Sequence, residues 1–132
     1  MAAASDARSR PAYVASCVAT IAFAAVFVLP MYRPQAVPWY YPLEWRWAWE
    51  VEPTGLAMDF FGRGVIALMV ALPLAAIAYA IGRRIRAIPD RALDLLTAWA
   101  ITATVFAMIH FGWHLYFRDP VPAPLPEWYV PR

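Results

Sequence analysis

The sequence predicts an all-α membrane protein with three transmembrane helices, and two observations carry that prediction. Hydrophobic residues make up 63% of the 132 residues and charged residues only 15%, whereas a soluble domain has about 45–50% and about 25% respectively. Three apolar runs also reach the roughly 20 residues that a helix needs to cross about 30 Å of hydrocarbon. We therefore expect one membrane domain, and the composition excludes a water-soluble globule.

The apolar runs and their flanks place the expected elements along the chain. The three helices are expected at about residues 11–31, 54–82 and 90–117. They leave a link at residues 32–53 and a tail at residues 118–132, and both segments are rich in proline and aromatic residues. Proline and bulky alternating side chains favour an extended path over a helix, so we expect the link and the tail to be extended.

The basic residues predict the orientation of the helices. Arginines are dense at Arg8 and Arg10, before the first run, and again at residues 83–91, between the second and third runs. Because short cytoplasmic loops are enriched in basic residues, the N-terminus is predicted inside and the C-terminus outside. We expect a multi-pass protein of the bacterial cytoplasmic (inner) membrane. Its net charge of +2 is too small to indicate nucleic-acid binding.

Small residues recur along the whole length of the second helix. Their spacing of three or four residues places them on one face of a helix. Close packing of membrane helices needs such residues, because lipid gives no hydrophobic drive for helices to associate. We therefore predict that this face packs on a neighbouring helix. The stripe, called here the small-residue stripe, consists of Gly64, Ala67, Ala71, Ala75, Ala78 and Gly82.

Two charged residues precede this stripe at the outer end of the second helix. Asp59 and Arg63 are four residues apart. If the helix extends outward to residue 54, both side chains lie on one face as an ion pair. Pairing lowers the free-energy cost of placing them at the membrane interface, so a structural role is expected.

The two histidines are the most informative polar residues within the third helix. His110 and His114 are one turn apart and share a face. One interpretation is ordinary helix–helix hydrogen bonding, and a second is axial ligation of a haem or a chlorophyll-type pigment by one imidazole. A third is a Cu(I) site with thioether ligands, because soft sulfur suits that ion. The methionines expected near that membrane face are Met31, Met58 and Met108.

Aromatic residues are concentrated on the predicted outer side. Over residues 44–52 every second residue is Trp or Val, and the residues between them are charged except Ala48. In an extended strand this pattern places Trp45, Trp47 and Trp49 on one face. A lone strand has no internal pairing partner, so we expect it to contact the membrane surface, another segment or another protein.

The C-terminal tail alternates proline with apolar residues over residues 120–126. Such a pattern favours the polyproline II conformation, which is extended before binding and therefore loses little entropy on docking. We expect Pro122, Pro124 and Trp128 to contact a partner. The alternative is a tail that rests on the tryptophan-rich link of its own chain.

These features favour a structural role over catalysis. The sequence contains no Ser/His/Asp set, no metal-spaced cysteines, no glycine-rich phosphate loop and no intramembrane carboxylate pair, so we expect no enzyme activity. We expect a small accessory subunit of a larger energy-converting membrane complex, respiratory or photosynthetic. Its partners would be the lipid bilayer and other integral membrane subunits. The alternative is a membrane anchor that binds haem, a pigment or a quinone through His110 or His114.

The predicted orientation is testable by labelling single cysteines with a membrane-impermeant thiol reagent. A cysteine placed at Ala48 or Ala123 should be labelled in intact cells, because both positions are predicted outside. A cysteine at Ala87 should be labelled only after permeabilisation, since the arginine-rich link is predicted inside. Labelling of position 87 in intact cells would contradict this orientation.

Overall fold

The computed structural model is mostly helical and describes residues 2–29, 37–50, 57–85 and 87–117, with side chains from residue 10 onward. The helices are α1 (Ala2–Val28), α2 (Asp59–Arg84) and α3 (Asp90–Phe117). Two short strands lie between α1 and α2, namely β1 (Trp39–Tyr41) and β2 (Arg46–Ala48). Each of the three helices contains a stretch that is long and apolar enough to cross a membrane.

The observed helix bounds differ from the expected ones mainly at the start of α1. Helix α3 coincides with the predicted 90–117. Helix α1 begins at Ala2 instead of residue 11, because the expected bound followed hydropathy, whereas the preceding segment is rich in alanine and arginine, which favour a helix. Its helical bounds end at Val28, short of the predicted residue 31.

Helix α2 begins at Asp59 and not at residue 54. The reason lies at Met58, whose backbone is extended and forms an antiparallel bridge with Tyr40 of β1. The Tyr40 amide donates to the Met58 carbonyl at 3.0 Å, and the Met58 amide donates to the Tyr40 carbonyl at 2.9 Å. A residue held in a strand-like bridge cannot belong to a helix, so the bridge sets the start of α2.

Helix α1 is the central helix of the bundle. It packs antiparallel to α2, because Gly82 at the end of α2 faces Pro11 near the start of α1; a Cβ atom at Gly82 would lie 3.3 Å from the Pro11 Cα. It packs parallel to α3, with the rings of Phe27 and Phe111 5.4 Å apart near the ends of both helices. Among the described residues, α1 makes far more contacts with α2 and α3 than these two make with each other.

The small-residue stripe is the least exposed face of α2. Ala67, Ala71 and Gly82 are buried, and the other three members are half-buried. The large side chains between them face outward, as at Met69 and Leu72, which are exposed. Since α2 makes most of its helix contacts with α1, this face is where the two backbones approach one another. The close approach does not include Gly64, where an added Cβ atom would meet nothing within 4 Å.

The strands rest directly on the first turn of α2. Gly62 makes this possible, because a Cβ atom there would lie 1.9 Å from the carbonyl oxygen of Pro38. No other residue type fits at that distance without a shift of backbone. Val37 and Tyr41, on either side of this contact, are fully buried. The segment before and within β1 is therefore fixed to α2 by packing as well as by the Tyr40–Met58 bridge.

Arg63, the residue after Gly62, is fully buried. Its Nη2 donates to the carboxylate of Asp59, which confirms the expected ion pair one turn apart. Within the described part of the chain, its Nε and Nη1 atoms have no hydrogen-bond partner. A buried guanidinium with two unsatisfied nitrogens depends strongly on its one counter-charge, because unpaired buried charge is costly.

The packing of the small-residue stripe predicts different effects for two identical substitutions. Ala71→Leu places bulk on a side chain that is 2% exposed, so it should destabilise the protein by about 1–3 kcal/mol through overpacking. Ala76→Leu adds the same bulk at an exposed position of the same helix and should be neutral. The measurement is the thermal unfolding midpoint of each variant in mild detergent. Equal midpoints for the two variants would contradict this packing.

The buried ion pair predicts an asymmetric mutational effect. Asp59→Ala leaves the Arg63 guanidinium buried without a counter-charge and should cost about 3–5 kcal/mol. Arg63→Met should cost less, because it removes the buried charge together with its unsatisfied Nε and Nη1 atoms. Unfolding of both variants in mixed detergent measures the difference. A larger loss for Arg63→Met would show that the guanidinium itself stabilises the fold.

Candidate functional site

The two strands form an antiparallel hairpin, which we call the aromatic hairpin (residues 37–50). Strand β1 is therefore the other segment with which the predicted strand pairs, which is one of the three alternatives left open by the sequence. Each pair in the hairpin includes an aromatic or long side chain, which favours strand pairing. The paired residues are Trp39 with Ala48, Tyr40 with Trp47, and Tyr41 with Arg46.

The turn of the aromatic hairpin changes where the tryptophans lie. The Glu44 amide donates to the Tyr41 carbonyl at 3.2 Å, which closes a tight turn. Trp45 follows with a φ of 53°, in the left-handed region. Because Trp45 belongs to the turn and β2 ends at Ala48, the prediction that Trp45, Trp47 and Trp49 line one face of a single strand is wrong.

The three tryptophans are nevertheless exposed. The exposed fractions are 85% for Trp45, 49% for Trp47 and 66% for Trp49. Trp47 packs on the ring of Tyr40 at 4.9 Å between centroids, and Tyr40 packs edge-on against Phe61 of α2 at 5.6 Å. The hairpin that carries the exposed indoles is thus packed against α2 through Tyr40.

Charged residues support the same hairpin from its turn. Arg46 forms an ion pair with Glu44, and its guanidinium lies 4.8 Å from the centroid of the Tyr41 ring. The Tyr41 hydroxyl in turn donates to the carbonyl of Glu50 at 3.4 Å. These contacts join the turn to both strands of the hairpin, while the Arg46 and Glu44 side chains stay 39% and 47% exposed.

A cleft opens between the aromatic hairpin and α2. It has a volume of about 230 Å³ and is lined by Pro38, Trp47, Ala48, Trp49 and Val65. The lining is mostly apolar, with two indoles on one side and an aliphatic side chain on the other. Such a cleft suits an apolar or proline side chain, because indole faces and flat pyrrolidine rings pack closely.

The two histidines lie near the end of α3. His110 is half-buried and stacks on Phe106 with 5.7 Å between ring centroids. His114 is also half-buried, and both histidines interact with other groups. No cluster of three or more His, Cys, Asp and Glu residues occurs in the described ranges. Met31 lies outside those ranges.

The remaining predicted contacts divide between the hairpin and the tail. Pro122, Pro124 and Trp128 lie outside the described residues.

Sequence analysis missed β1 as a partner of β2, although two aromatic runs separated by a short proline-containing segment are a hairpin signal. It also missed Pro38 and Val65 as cleft residues. Residue periodicity within a helix does not predict which side chains of that helix contact a segment outside it.

Comparison with protein-family models, with curated proteins and with solved structures finds no match to this chain. Its function is therefore inferred from the chemistry of its own surfaces. Among the described residues, the aromatic hairpin combines the greatest exposure of indole rings with a fixed backbone. It is the surface that we take as the candidate functional site.

Proposed function

We propose that this chain is a small accessory subunit that docks onto another integral membrane protein through the aromatic hairpin. The observation that carries this proposal is the exposure of three tryptophans on a hairpin that is itself fixed to α2. Tryptophan is enriched among the few residues that dominate the free energy of protein–protein binding. A rigid base reduces the entropy lost when such residues dock.

The backbone at Trp45 supports a role beyond folding. A residue other than glycine in the left-handed region costs of order 1 kcal/mol or more. The Trp45 side chain is 85% exposed, so its packing within the isolated chain offsets little of this backbone strain. A position that is strained and also exposes an indole is better explained by a contact that forms on assembly.

The cleft beside the hairpin supplies the second element of the proposed docking surface. Trp47 and Trp49 form one side of the cleft and Val65 the other. A partner side chain seated there would touch the hairpin and α2 together, which links the exposed indoles to the membrane-spanning part. An integral membrane partner satisfies this geometry, because its surface continues from the interface into the bilayer.

The energy-converting role and the cofactor-binding alternative both depend on His110 and His114. The stacking of His110 on Phe106 is compatible with a structural histidine as well as with an axial ligand. An absorption spectrum of the protein purified from its native membrane separates the two. A haem or chlorophyll-type band that disappears in His110→Ala or His114→Ala would favour the anchor over the accessory subunit.

The docking proposal predicts that Trp45→Gly separates folding from assembly. Glycine tolerates a positive φ, so the substitution should leave the fold at least as stable as the wild type. Removal of an indole from an interface should weaken partner association by about 30-fold, or about 2 kcal/mol. The measurement is recovery of co-purifying membrane proteins in mild detergent at matched amounts of the tagged chain.

Trp113→Ala is the matched control for this experiment, because Trp113 is also exposed but belongs to α3 and not to the hairpin. It should leave recovery of the partner unchanged. Equal recovery with the wild type, Trp45→Gly and Trp113→Ala would mean that the hairpin tryptophans rest on lipid, and the docking proposal would fail.

A further inference from the structure

A polar cavity lies at the opposite end of the bundle from the aromatic hairpin. It has a volume of about 530 Å³ and opens between the N-terminal parts of α1 and α3. We call this the arginine end, because Arg10 lies beside the cavity and Arg83 and Arg84 end the neighbouring helix α2. Charged side chains line its mouth, and hydroxyl groups line the part that extends along the helices.

Among the described residues that line the cavity, carboxylates outnumber guanidinium groups. The Nη2 of Arg10 lies 3.1 Å from a carboxylate oxygen of Asp90, and its Nη1 donates to the Ile88 carbonyl at 2.9 Å. Asp94, one turn further along α3, also lines the cavity. Within the described residues Asp94 has no ion pair or hydrogen bond of its side chain. One guanidinium therefore faces two carboxylates.

Hydroxyl groups continue the polar surface into the bundle. The Tyr13 hydroxyl lies 2.5 Å from the Oγ1 atom of Thr97, and this pair joins α1 to α3. Thr97 is seven residues beyond Asp90, which is about 10 Å along the helix. Ser16 lines the same cavity, with its hydroxyl donating to the Ala12 carbonyl at 3.0 Å. The cavity thus changes from charged to weakly polar with depth.

An apolar groove follows on the same helix faces. It has a volume of about 450 Å³ and lies between α2 and α3, over α1. On α1, helical spacing continues the cavity residues to Thr20 and Phe23, and on α3 it continues them to Thr104 and Ala107. The hydroxyls of both threonines donate to carbonyls of their own helices at 2.9 Å, so they add little polarity to the groove.

We propose that the cavity and the groove together bind one phospholipid whose headgroup carries a primary amine. The groove suits an acyl chain, because its lining is apolar and it runs along membrane-spanning helices. The ammonium group would bind Asp94, where the carboxylate has no other cation among the described residues. The phosphate would accept from the Arg10 guanidinium. The Tyr13 and Thr97 hydroxyls are not its donors, because Thr97 donates to the Leu93 carbonyl at 2.7 Å and Tyr13 is left to donate to Thr97.

The charge balance distinguishes this ligand from an anionic phospholipid. A headgroup that is only negative would lie beside the exposed carboxylates of Asp90 and Asp94 and would bring no cation to pair with Asp94, and like charges repel. An amine-bearing headgroup has both signs and matches both sides of the cavity. Selection among lipids should therefore depend on Asp94, and retention of any lipid should depend on the groove.

The experiment uses the full chain reconstituted in bilayers of equal amounts of phosphatidylethanolamine and phosphatidylglycerol. After gentle extraction, native mass spectrometry counts the lipid that remains bound. We expect phosphatidylethanolamine to exceed phosphatidylglycerol by about tenfold, and Asp94→Asn to reduce this preference by about tenfold, as expected for loss of a charged hydrogen bond. Glu44→Gln, which removes a carboxylate from the hairpin turn, should keep the preference.

A second pair of variants tests the groove. Ala19→Phe places a ring in the groove and should reduce retention of both lipids, whereas Ala25→Phe, at an exposed position of α1, should not. Equal retention in this pair would overturn the assignment of the groove. No preference in the wild type, a preference for phosphatidylglycerol, or an unchanged preference in Asp94→Asn would overturn the assignment of the headgroup. The wild-type comparison decides the headgroup even if a variant misfolds.

Discussion

The close approach of α1 and α2 along the small-residue stripe is the interaction on which the rest of the structure depends. In lipid the burial of apolar side chains gives no net drive for association, so helices are held by packing of their backbones. Ala67 and Ala71 are almost completely buried at this contact. With α2 placed in this way, its first turn carries the aromatic hairpin, and α1 presents its other side to α3.

The part of the fold that depends on local periodicity could be predicted from the sequence. The face of α2 that is least exposed and the Asp59–Arg63 pair follow from a period of 3.6 residues, and the bounds of α3 follow from the length of its apolar run and its flanks. Each of these features involves residues within a few turns of one helix, and the residue pattern is therefore sufficient to place them.

The features that sequence analysis missed depend on contacts between distant residues or on an unusual backbone conformation. The hairpin turn requires a left-handed residue, and the sequence has a tryptophan there, where glycine or asparagine would have given a signal. The start of α2 is set by a bridge from Met58 to Tyr40. The polar cavity arises because Tyr13 and Thr97 meet across two helices, although they are far apart in the chain.

The two ends of the bundle differ in chemistry, and we propose a different neighbour for each. The hairpin end presents exposed indoles on a packed base, which favours a protein partner. Photo-crosslinking in intact membranes tests that central claim most directly, with a benzophenone side chain replacing Trp49 and, as the comparison, exposed Ala76 of α2. The account predicts a discrete covalent adduct with another membrane polypeptide from position 49 and none from position 76. Adducts with lipid alone, or the same products from both positions, would contradict it.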